Sequence, residues 1–426
     1  MDRMKFLGKL RAPYRPGSPL PLWLFLSLIV LAGSALIRLA NEPRTADSPI
    51  DIRTLYLGQS ILVAGGDPYD DLLLKETWKS MIQREGLKSV LLPGRPFTPL
   101  LHPPWALPIF TVFGKTPWST VRIVWWFAVS FFLLGIAWLV ARAAPTTSRF
   151  IPLTDTLLLA LAFRATDWAL FVGQPMFLCI VLGFAAWHFD RTGRPIPAGI
   201  ALGLASFKIT LVVPFVLLTL FRRRWSVIAG AALTGVALIA VFVVLSADPA
   251  TSFESYRDQI LFHLPPTYSH DVPGYPLAFN MVAKTQFAAL AECVIPGAGS
   301  YAAVVNLLPA MLILPFWIVP LWRRQVSDVR AFPIFAVLTL LCTYHLHYDA
   351  LVLLPIYLVL FEADRAERIA LLWSSAFLLL PINGILNQFD LPPALNFLHY
   401  NFQIGLLGLA VVLTWGMRRA LAGPEP

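Results

Sequence analysis

The chain has 426 residues, of which 57% are hydrophobic and only 13% are charged. Soluble globular proteins carry about 25% charged residues, so this composition excludes an ordinary water-soluble fold. The net charge of +9 does not indicate a nucleic-acid partner, because the basic residues lie between apolar segments and the sequence contains no nucleic-acid-binding motif. The three cysteines are scattered and predict no disulfide framework.

Apolar runs of spanning or near-spanning length follow one another along the chain. They cover residues 20–40, 99–114, 119–142, 152–171, 174–189, 196–221, 226–246, 301–322, 330–345, 347–362, 368–386 and 402–419. Backbone polar groups in hydrocarbon must be paired within the segment, so these runs predict helices. The first run is too long for a signal-peptide core and is expected to be retained. The sequence predicts an all-α polytopic membrane protein of about 12 spans, with residues 1–426 forming one membrane domain.

Basic residues at the ends of the apolar runs predict the orientation. The clusters are Lys5, Lys9, Arg11 and Arg15; Arg222 to Arg224; Arg323 and Arg324; Arg365 and Arg368; and Arg418 and Arg419. Cytoplasmic loops are enriched in Lys and Arg, so we expect these clusters and both termini to lie in the cytoplasm. The polar stretches 41–98, 247–300 and 387–401 then lie outside a cell (inner) membrane.

Two topologies remain open around four further arginines, Arg142, Arg149, Arg191 and Arg194. If 99–114 crosses the membrane and 196–221 is one helix, these arginines lie outside. If 99–114 is re-entrant and 196–221 breaks into two short helices around Lys208, they lie inside. The positive-inside rule favours the second topology.

The first polar stretch contains a helical pattern that follows Asp51. Leu55, Ile61 and Leu62 have near-helical spacing, and Gly65 and Gly66 suit the end of a helix. We expect this helix to lie along the membrane surface as part of an extracytoplasmic first loop with surface helices. Asp51 is then at or near the N-cap, and capping alone would account for this residue.

Five short motifs occur in order in the first half of the chain. They are Asp51 with Tyr56; Gly66-Asp67-Pro68-Tyr69; His102-Pro103-Pro104-Trp105; Gly173-Gln174-Pro175; and Ala198-Gly199-Ile200-Ala201-Leu202-Gly203-Leu204-Ala205, with Lys208 and Pro214 downstream. This ordered set resembles glycosyltransferase family 87, a family of the GT-C class. The order and spacing fit over roughly residues 45–225, whereas the C-terminal half fits only in its apolar character. The family pattern has Gly-Gln-Asn where this chain has Gly-Gln-Pro, so no role is carried over to Pro175.

The resemblance implies transfer of a hexose, such as mannose, from a polyprenyl-phosphate-linked sugar to a lipid or glycan acceptor among the membrane lipids at the extracytoplasmic face. A phosphate is already a good leaving group, so one carboxylate acting as a base on the acceptor hydroxyl suffices. Asp51 matches the first-loop aspartate that has this role in the family, and a single displacement would invert the anomeric centre. No cofactor and no metal are expected.

Lys208 and Arg164 are the candidates for binding the donor phosphate from within apolar runs. A charged residue deep in such a run costs about 2.5–3.5 kcal/mol on insertion scales, and this cost suggests a functional role. Lys208 could instead extend to a lipid headgroup at the membrane surface. Arg164 lies three residues before Asp167, so the two can form a structural ion pair on one helix face.

His345, His347 and Asp349 lie together in the stretch Tyr344 to Asp349. On a helix only His345 and Asp349 share a face, and this spacing makes a poor zinc signature. We predict instead that His347 contacts the donor phosphate and that His345 contacts sugar hydroxyls. Histidines at the membrane interface without a chemical role are an alternative explanation.

The remaining substrate-binding candidates are Asp67, Tyr69, His102 and Gln174. Asp67 lies in a strong turn sequence and could simply form that turn. The glycosyltransferase hypothesis predicts that Asp51 and Lys208, with His347, converge on one outward cavity. A transporter or flippase of a lipid-linked glycan, and a structural partner with a degenerate site, are the competing hypotheses.

Overall fold

The computed structural model describes residues 18–41, 50–86, 100–145, 150–163, 166, 169–170, 172–263, 286–295, 297–343, 347–379 and 400–422. It is 84% helical, and no β-strand occurs in these ranges. The all-α class that the sequence predicts is therefore confirmed. Each of the twelve apolar runs contains a helix.

The α-helices are numbered in chain order. They are α1 (Leu22–Asn41), α2 (Ile50–Val63), α3 (Asp71–Glu85), α4 (Trp118–Ala143), α5 (Phe150–Ala162), α6 (Met176–Arg191), α7 (Pro195–Ala205), α8 (Ile209–Phe221), α9 (Trp225–Leu245), α10 (Pro249–His263), α11 (Phe287–Val294), α12 (Ala302–Val305), α13 (Leu308–Trp322), α14 (Asp328–Cys342), α15 (Ile356–Glu362), α16 (Arg365–Leu379) and α17 (Asn401–Ala422). In the part of the chain that the structure describes, 3₁₀ helices cover Pro104–Phe113, Ser206–Lys208, Ala298–Tyr301 and His347–Leu353.

Five helical stretches in the described part of the chain are long and apolar enough to cross a membrane. They are Trp118–Ala143, Pro195–Phe221, Trp225–Leu245, Ala302–Trp322 and Asn401–Ala422. Helix lengths and composition therefore support a membrane protein. They do not confirm the count of about 12 spans.

The stretch from Pro195 to Phe221 is interrupted where the sequence predicts a break. The α-conformation of α7 ends at Ala205, one 3₁₀ turn covers Ser206–Lys208, and α8 begins at Ile209. The backbone of Lys208 has φ −123° and ψ 79°, which is not helical. The prediction of two short helices around Lys208 is thus confirmed.

The direction of α8 follows from the way α7 packs on α9. A Cβ atom added to Gly199 would lie 2.8 Å from the Cα of Gly230, and one added to Gly203 would lie 2.5 Å from the Cβ of Thr234. From the first contact to the second, the position moves four residues forward on both helices, so α7 and α9 run parallel. Only small residues allow two helices to approach this closely. Because α9 begins shortly after α8 ends, α8 must run back antiparallel to α7.

The ends of this helical hairpin bear on the two topologies. Arg224, just before α9, contacts Asp190 near the end of α6 at 3.4 Å, and the charges of Arg142, Arg191 and Arg194 lie close to His188. These arginines therefore share one end of the molecule with the basic cluster at 222–224. The 3₁₀ helix Pro104–Phe113 extends about 20 Å, less than the roughly 30 Å hydrocarbon core. Both observations agree with the second topology.

The helix within the first polar stretch agrees with the prediction at its two ends but not in its exposure. α2 begins at Ile50 and has Asp51 in its first turn, which agrees with the prediction that Asp51 lies at or near the start of this helix. Residues 52–59 are all buried, which means that α2 is enclosed by protein and has no exposed side over this stretch. Its polar residues suggested a solvent-facing side, but Arg53 is 1% exposed and packs over the ring of Trp78 at 5.1 Å. The end of α2 at Gly65, with φ 81°, agrees with the prediction.

The two longer polar stretches meet around the turn that follows α2. Asp67 accepts a hydrogen bond from Ser255 Oγ of α10 at 2.8 Å, and the carbonyl of Tyr69 accepts one from Gln259. Glu85, at the end of α3, accepts hydrogen bonds from the backbone amides of Trp118 and Ser119 and so caps α4. The first polar segment is therefore fixed against both α4 and α10.

Candidate functional site

Asp51 is held by the Gly-Gln-Pro motif that precedes α6. Gly173 has φ 66°, a conformation that favours glycine, and its carbonyl accepts a hydrogen bond from the Trp125 indole at 2.9 Å. This turn directs the Gln174 side chain towards α2, where its amide Nε2 donates to Asp51 Oδ2. A glutamine 123 residues away in sequence thus orients the acid.

The surroundings of Asp51 make its carboxylate more basic than usual. Burial raises the pKa of Asp51 to about 6, although Lys208, the Gln174 hydrogen bond and Arg53 lower it. A carboxyl with a pKa near 6 is ionised at neutral pH and can still accept a proton effectively. Asp51 lies in α2, outside the helices long enough to span a membrane.

Lys208 forms a buried ion pair with Asp349. Its Nζ lies 2.6 Å from Asp349 Oδ1, and the two side chains are 16% and 3% exposed. Lys208 ends the 3₁₀ turn between α7 and α8, whereas Asp349 lies in the 3₁₀ helix His347–Leu353. The helix break thus places an ammonium group near Asp51, with a second carboxylate directly beside it.

Asp349 was not among the predicted site residues. The sequence suggested only that it could share a helix face with His345 in a weak metal pattern. The two partners of the ion pair are 141 residues apart, and no local spacing connects them. A buried lysine requires a counter-charge, so the search for one could have singled out Asp349.

Side chains from one of the sequence motifs and from α6 form hydrogen bonds with backbone carbonyls of the broken helix. The Trp105 indole donates to the carbonyl of Ser206 at 3.4 Å, and His102 makes a hydrogen bond with the backbone of Phe207. The Cys179 thiol donates to the carbonyl of Ala205 at 3.3 Å. Irregular backbone inside a membrane protein requires such partners. The His-Pro-Pro-Trp motif therefore supports the position of Lys208.

His102 contributes a neutral imidazole beside Lys208. Burial, together with the charge of Lys208, lowers the pKa of His102 to about 4, while the hydrogen bond to Phe207 and the charge of Asp349 oppose this change. The backbone carbonyl of His102 accepts a hydrogen bond from the hydroxyl of Tyr69 at 2.8 Å. Tyr69 thus connects the turn after α2 to this part of the site.

Asp67 has turn-forming contacts. One carboxylate oxygen accepts from the backbone amide of Tyr69 at 3.1 Å, and the other accepts from Ser255. Tyr69 is 3% exposed and its ring packs on Tyr256. The structure thus places both residues next to the site, in contacts that hold the turn.

Three of the predicted residues cannot be placed. Arg164 and His345 lie outside the described residues, as does Asp167. The backbone of His347 begins a 3₁₀ helix, but its side chain is outside the described part. Among the described residues, no group of three or more His, Cys, Asp or Glu side chains could hold a metal ion.

The described site therefore consists of Asp51 with Gln174, Lys208 with Asp349, and His102. In a comparison with protein families, the profile of glycosyltransferase family 87 matches residues 100–343. The chain belongs to glycosyltransferase family 87. The match begins later than the resemblance in the sequence suggested and continues well into the C-terminal half.

Three of the five site residues, His102, Gln174 and Lys208, fall inside the part of this family 87 glycosyltransferase that matches the profile, whereas Asp51 and Asp349 lie outside it. No curated protein and no solved structure matches the chain.

Proposed function

We propose that this family 87 glycosyltransferase moves a hexose, such as mannose, from a polyprenyl-phosphate-linked sugar to a lipid or glycan acceptor. The observation that carries the proposal is the proximity of two different groups. One is a carboxylate with a raised pKa, Asp51, and the other is a buried ammonium, Lys208. A transfer from a phosphate donor requires both a base and a cation.

In the proposed step the acceptor hydroxyl attacks C1 of the donor sugar. A new C1–O bond forms and the bond from C1 to the phosphate oxygen breaks. Asp51 takes the hydroxyl proton, and polyprenyl phosphate leaves with the bonding electron pair. One displacement of this kind inverts the anomeric centre. Gln174 keeps the Asp51 carboxylate in place by donating to Oδ2.

The developing charge on the leaving phosphate requires a fixed cation, and Lys208 fits this role. Asp349 fixes the ammonium by the 2.6 Å contact, and the hydrogen bonds of His102 and Trp105 to the turn hold the backbone at 206–207. His345, His347 and Arg164 remain proposed contacts of the donor. Asp67 and Tyr69 are proposed to shape the substrate side of the site through the turn after α2.

We place the site at the extracytoplasmic face of a cell (inner) membrane, with both termini in the cytoplasm. Arg194 and Arg224 flank the open end of the α7–α8 hairpin, whereas Lys208 lies at its tip. The 11 residues of α7 extend about 16 Å, roughly half of the hydrocarbon thickness. The positive-inside rule therefore supports a site on the side opposite to the arginines.

The test is an assay of the purified protein in nanodiscs with polyprenyl-phosphate-mannose and a membrane lipid extract. Free polyprenyl phosphate and the mannosylated product are both measured. We expect release of polyprenyl phosphate that depends on the acceptor, and a loss of about 10²–10⁴-fold in Asp51→Asn, which keeps the shape of the side chain and removes the base.

A matched control is Asp258→Asn, which changes an exposed carboxylate in α10. This control should retain the rate of the unchanged protein. Near-normal turnover in Asp51→Asn would refute the base assignment. No release from any of several sugar donors, combined with movement of the lipid-linked sugar across the bilayer, would instead identify a flippase.

A further inference from the structure

A cavity of about 740 Å³ lies apart from the described site. It is enclosed by α1, α5, the segment around α15, and α16, and its lining is dominated by leucines such as Leu24, Leu28 and Leu372. Its volume is in the range of ligand pockets, about 300–1,000 Å³. Asp51, Lys208 and Asp349 are not part of the lining. An apolar volume of this size in a membrane protein is expected to hold hydrocarbon.

The cavity is long in the direction of the helices. The residues of α16 that line it extend from Arg365 to Leu379. With a rise of about 1.5 Å per residue, these two positions are roughly 21 Å apart along the helix. One leaflet contributes about half of the 30 Å hydrocarbon core. The cavity is therefore long enough for an acyl chain lying alongside α16.

Positive charge is concentrated at one end of the cavity. Arg365 and Arg368 both line it, and their spacing of three residues places them on the same face of α16. The Arg368 guanidinium is fixed there, because it donates to the carbonyls of Leu360 and Ala363. Two cations on one face form a site suited to an anionic headgroup.

Acidic residues in the same stretch of chain contact other cations. Glu367 pairs with Arg330, and Asp364 pairs with Arg419 at 2.8 Å. Neither carboxylate lines the cavity. At its Arg365 end, the described lining of the cavity therefore includes two arginines and no carboxylate.

We infer that this cavity binds an anionic glycerophospholipid, with one acyl chain along α16 and the phosphate at Arg365 and Arg368. The polar end of the cavity is formed by Arg365 and Arg368, which we place at the cytoplasmic face. The cytoplasmic leaflet of membranes is rich in anionic lipids. The helices from Asp349 to Arg365 extend roughly 20 Å, so a phosphate at Arg365 is far from Lys208. A glycosyl donor bound with this orientation could not present its sugar to the site, and the occupant is therefore a different lipid.

The experiment measures lipid retained by the detergent-purified protein, using native mass spectrometry after incubation with phosphatidylglycerol or phosphatidylcholine of identical acyl chains. We expect one tightly retained phosphatidylglycerol and at least about tenfold weaker retention of phosphatidylcholine. Arg365→Gln/Arg368→Gln should reduce phosphatidylglycerol retention by a similar factor. The control Arg194→Gln/Arg323→Gln, which removes two exposed arginines outside the cavity, should not change it.

A second variant tests the acyl-chain part of the site independently of charge. Ala376→Phe adds a ring to the lining of the cavity and should abolish retention of both lipids. Asp51→Asn should retain phosphatidylglycerol fully, so a failure of the transferase proposal would leave this result unchanged. Equal retention of the two phospholipids, or retention that neither variant reduces, would overturn the inference. Retention of polyprenyl phosphate in preference to phosphatidylglycerol would also overturn it, in favour of the donor.

Discussion

Two ends of the molecule each bury a cation between carboxylates, but with different geometry. At the arginine end, the Arg330 guanidinium donates twice to Glu367, at 2.6 and 3.1 Å, once to the Glu362 carboxylate and once to the Glu362 carbonyl. At the site end, the Lys208 ammonium lies 2.6 Å from Asp349 Oδ1, and the neighbouring acid Asp51 is oriented by an amide.

We propose that this difference in geometry separates a structural ion pair from a functional one. A guanidinium has a rigid set of donors, so the Arg330 contacts join α14, α15 and α16 in one fixed arrangement. An ammonium is a compact point charge on a flexible stem, and it can turn its other protons towards a new anion. Lys208 is therefore better suited than Arg330 to contact a leaving phosphate.

The strongest test of this comparison replaces each pair by apolar residues of similar volume. Lys208→Met/Asp349→Leu should fold but lose about 10²–10³-fold in transfer rate, because the fixed cation is removed. Arg330→Met/Glu367→Leu should retain the rate within a few-fold, since such replacements of buried ion pairs are often neutral or stabilising. Transfer assays and thermal unfolding are measured on both variants. Equal losses of activity in two folded variants would contradict the assignment of roles.

Gln174→Leu should have the next largest effect, about a tenfold loss of transfer rate at neutral pH, because the charge-assisted hydrogen bond to Asp51 is removed. This hydrogen bond lowers the pKa of Asp51. Its loss should therefore move the acidic limb of the pH–rate profile from about 6 to higher pH. Gln59→Leu, in the buried part of α2, is a control for loss of an amide and should leave the position of this limb unchanged.

A pH dependence is also expected in the unchanged protein. Transfer requires the ionised Asp51, so the rate should fall by about tenfold for each pH unit below the pKa of about 6. The measurement is the transfer rate between pH 5 and 8. A rate that does not change across this range would exclude Asp51 as the titrating base.

The smallest effect concerns stability. Because the folded-state pKa of Asp51 lies above the ordinary value of 3.8, ionisation of this group destabilises the native protein as pH rises from about 4 to about 6. Asp51→Asn should therefore unfold at a higher temperature than the unchanged protein, by an amount that grows over this window and is constant above pH 6. Asp258→Asn should show no such change, and a lower unfolding temperature for Asp51→Asn at pH 8 would contradict the prediction.

Much of the fold could be predicted from local sequence. The apolar runs became helices because hydrocarbon leaves no alternative for backbone polar groups, and the charge at Lys208 indicated the break between α7 and α8. The sequence did not predict that α2 is buried on all sides. Its polar residues have the pattern of a surface helix, but tertiary contacts such as Arg53 over Trp78 bury them.

The glycine motif shows a limit of reading function from motifs. Gly199 and Gly203 belong to the family-like pattern, yet in the structure they allow α7 to approach the backbone of α9. Their role is in helix packing, and the amino-acid sequence alone does not distinguish this role from ligand binding. The same holds for Trp105, whose indole supports the broken helix.

The sequence by itself determined the membrane class, the helix positions and the family resemblance, and it identified Asp51 and Lys208 as candidates, because composition, periodicity and isolated charges in apolar runs are local properties. Only the tertiary structure paired Lys208 with Asp349, placed Gln174 on Asp51 and packed α7 parallel to α9, so that α8 runs back along α7. These contacts join residues more than 100 positions apart, or depend on which small residue faces which helix. They arise when the helices pack, and no local pattern records them.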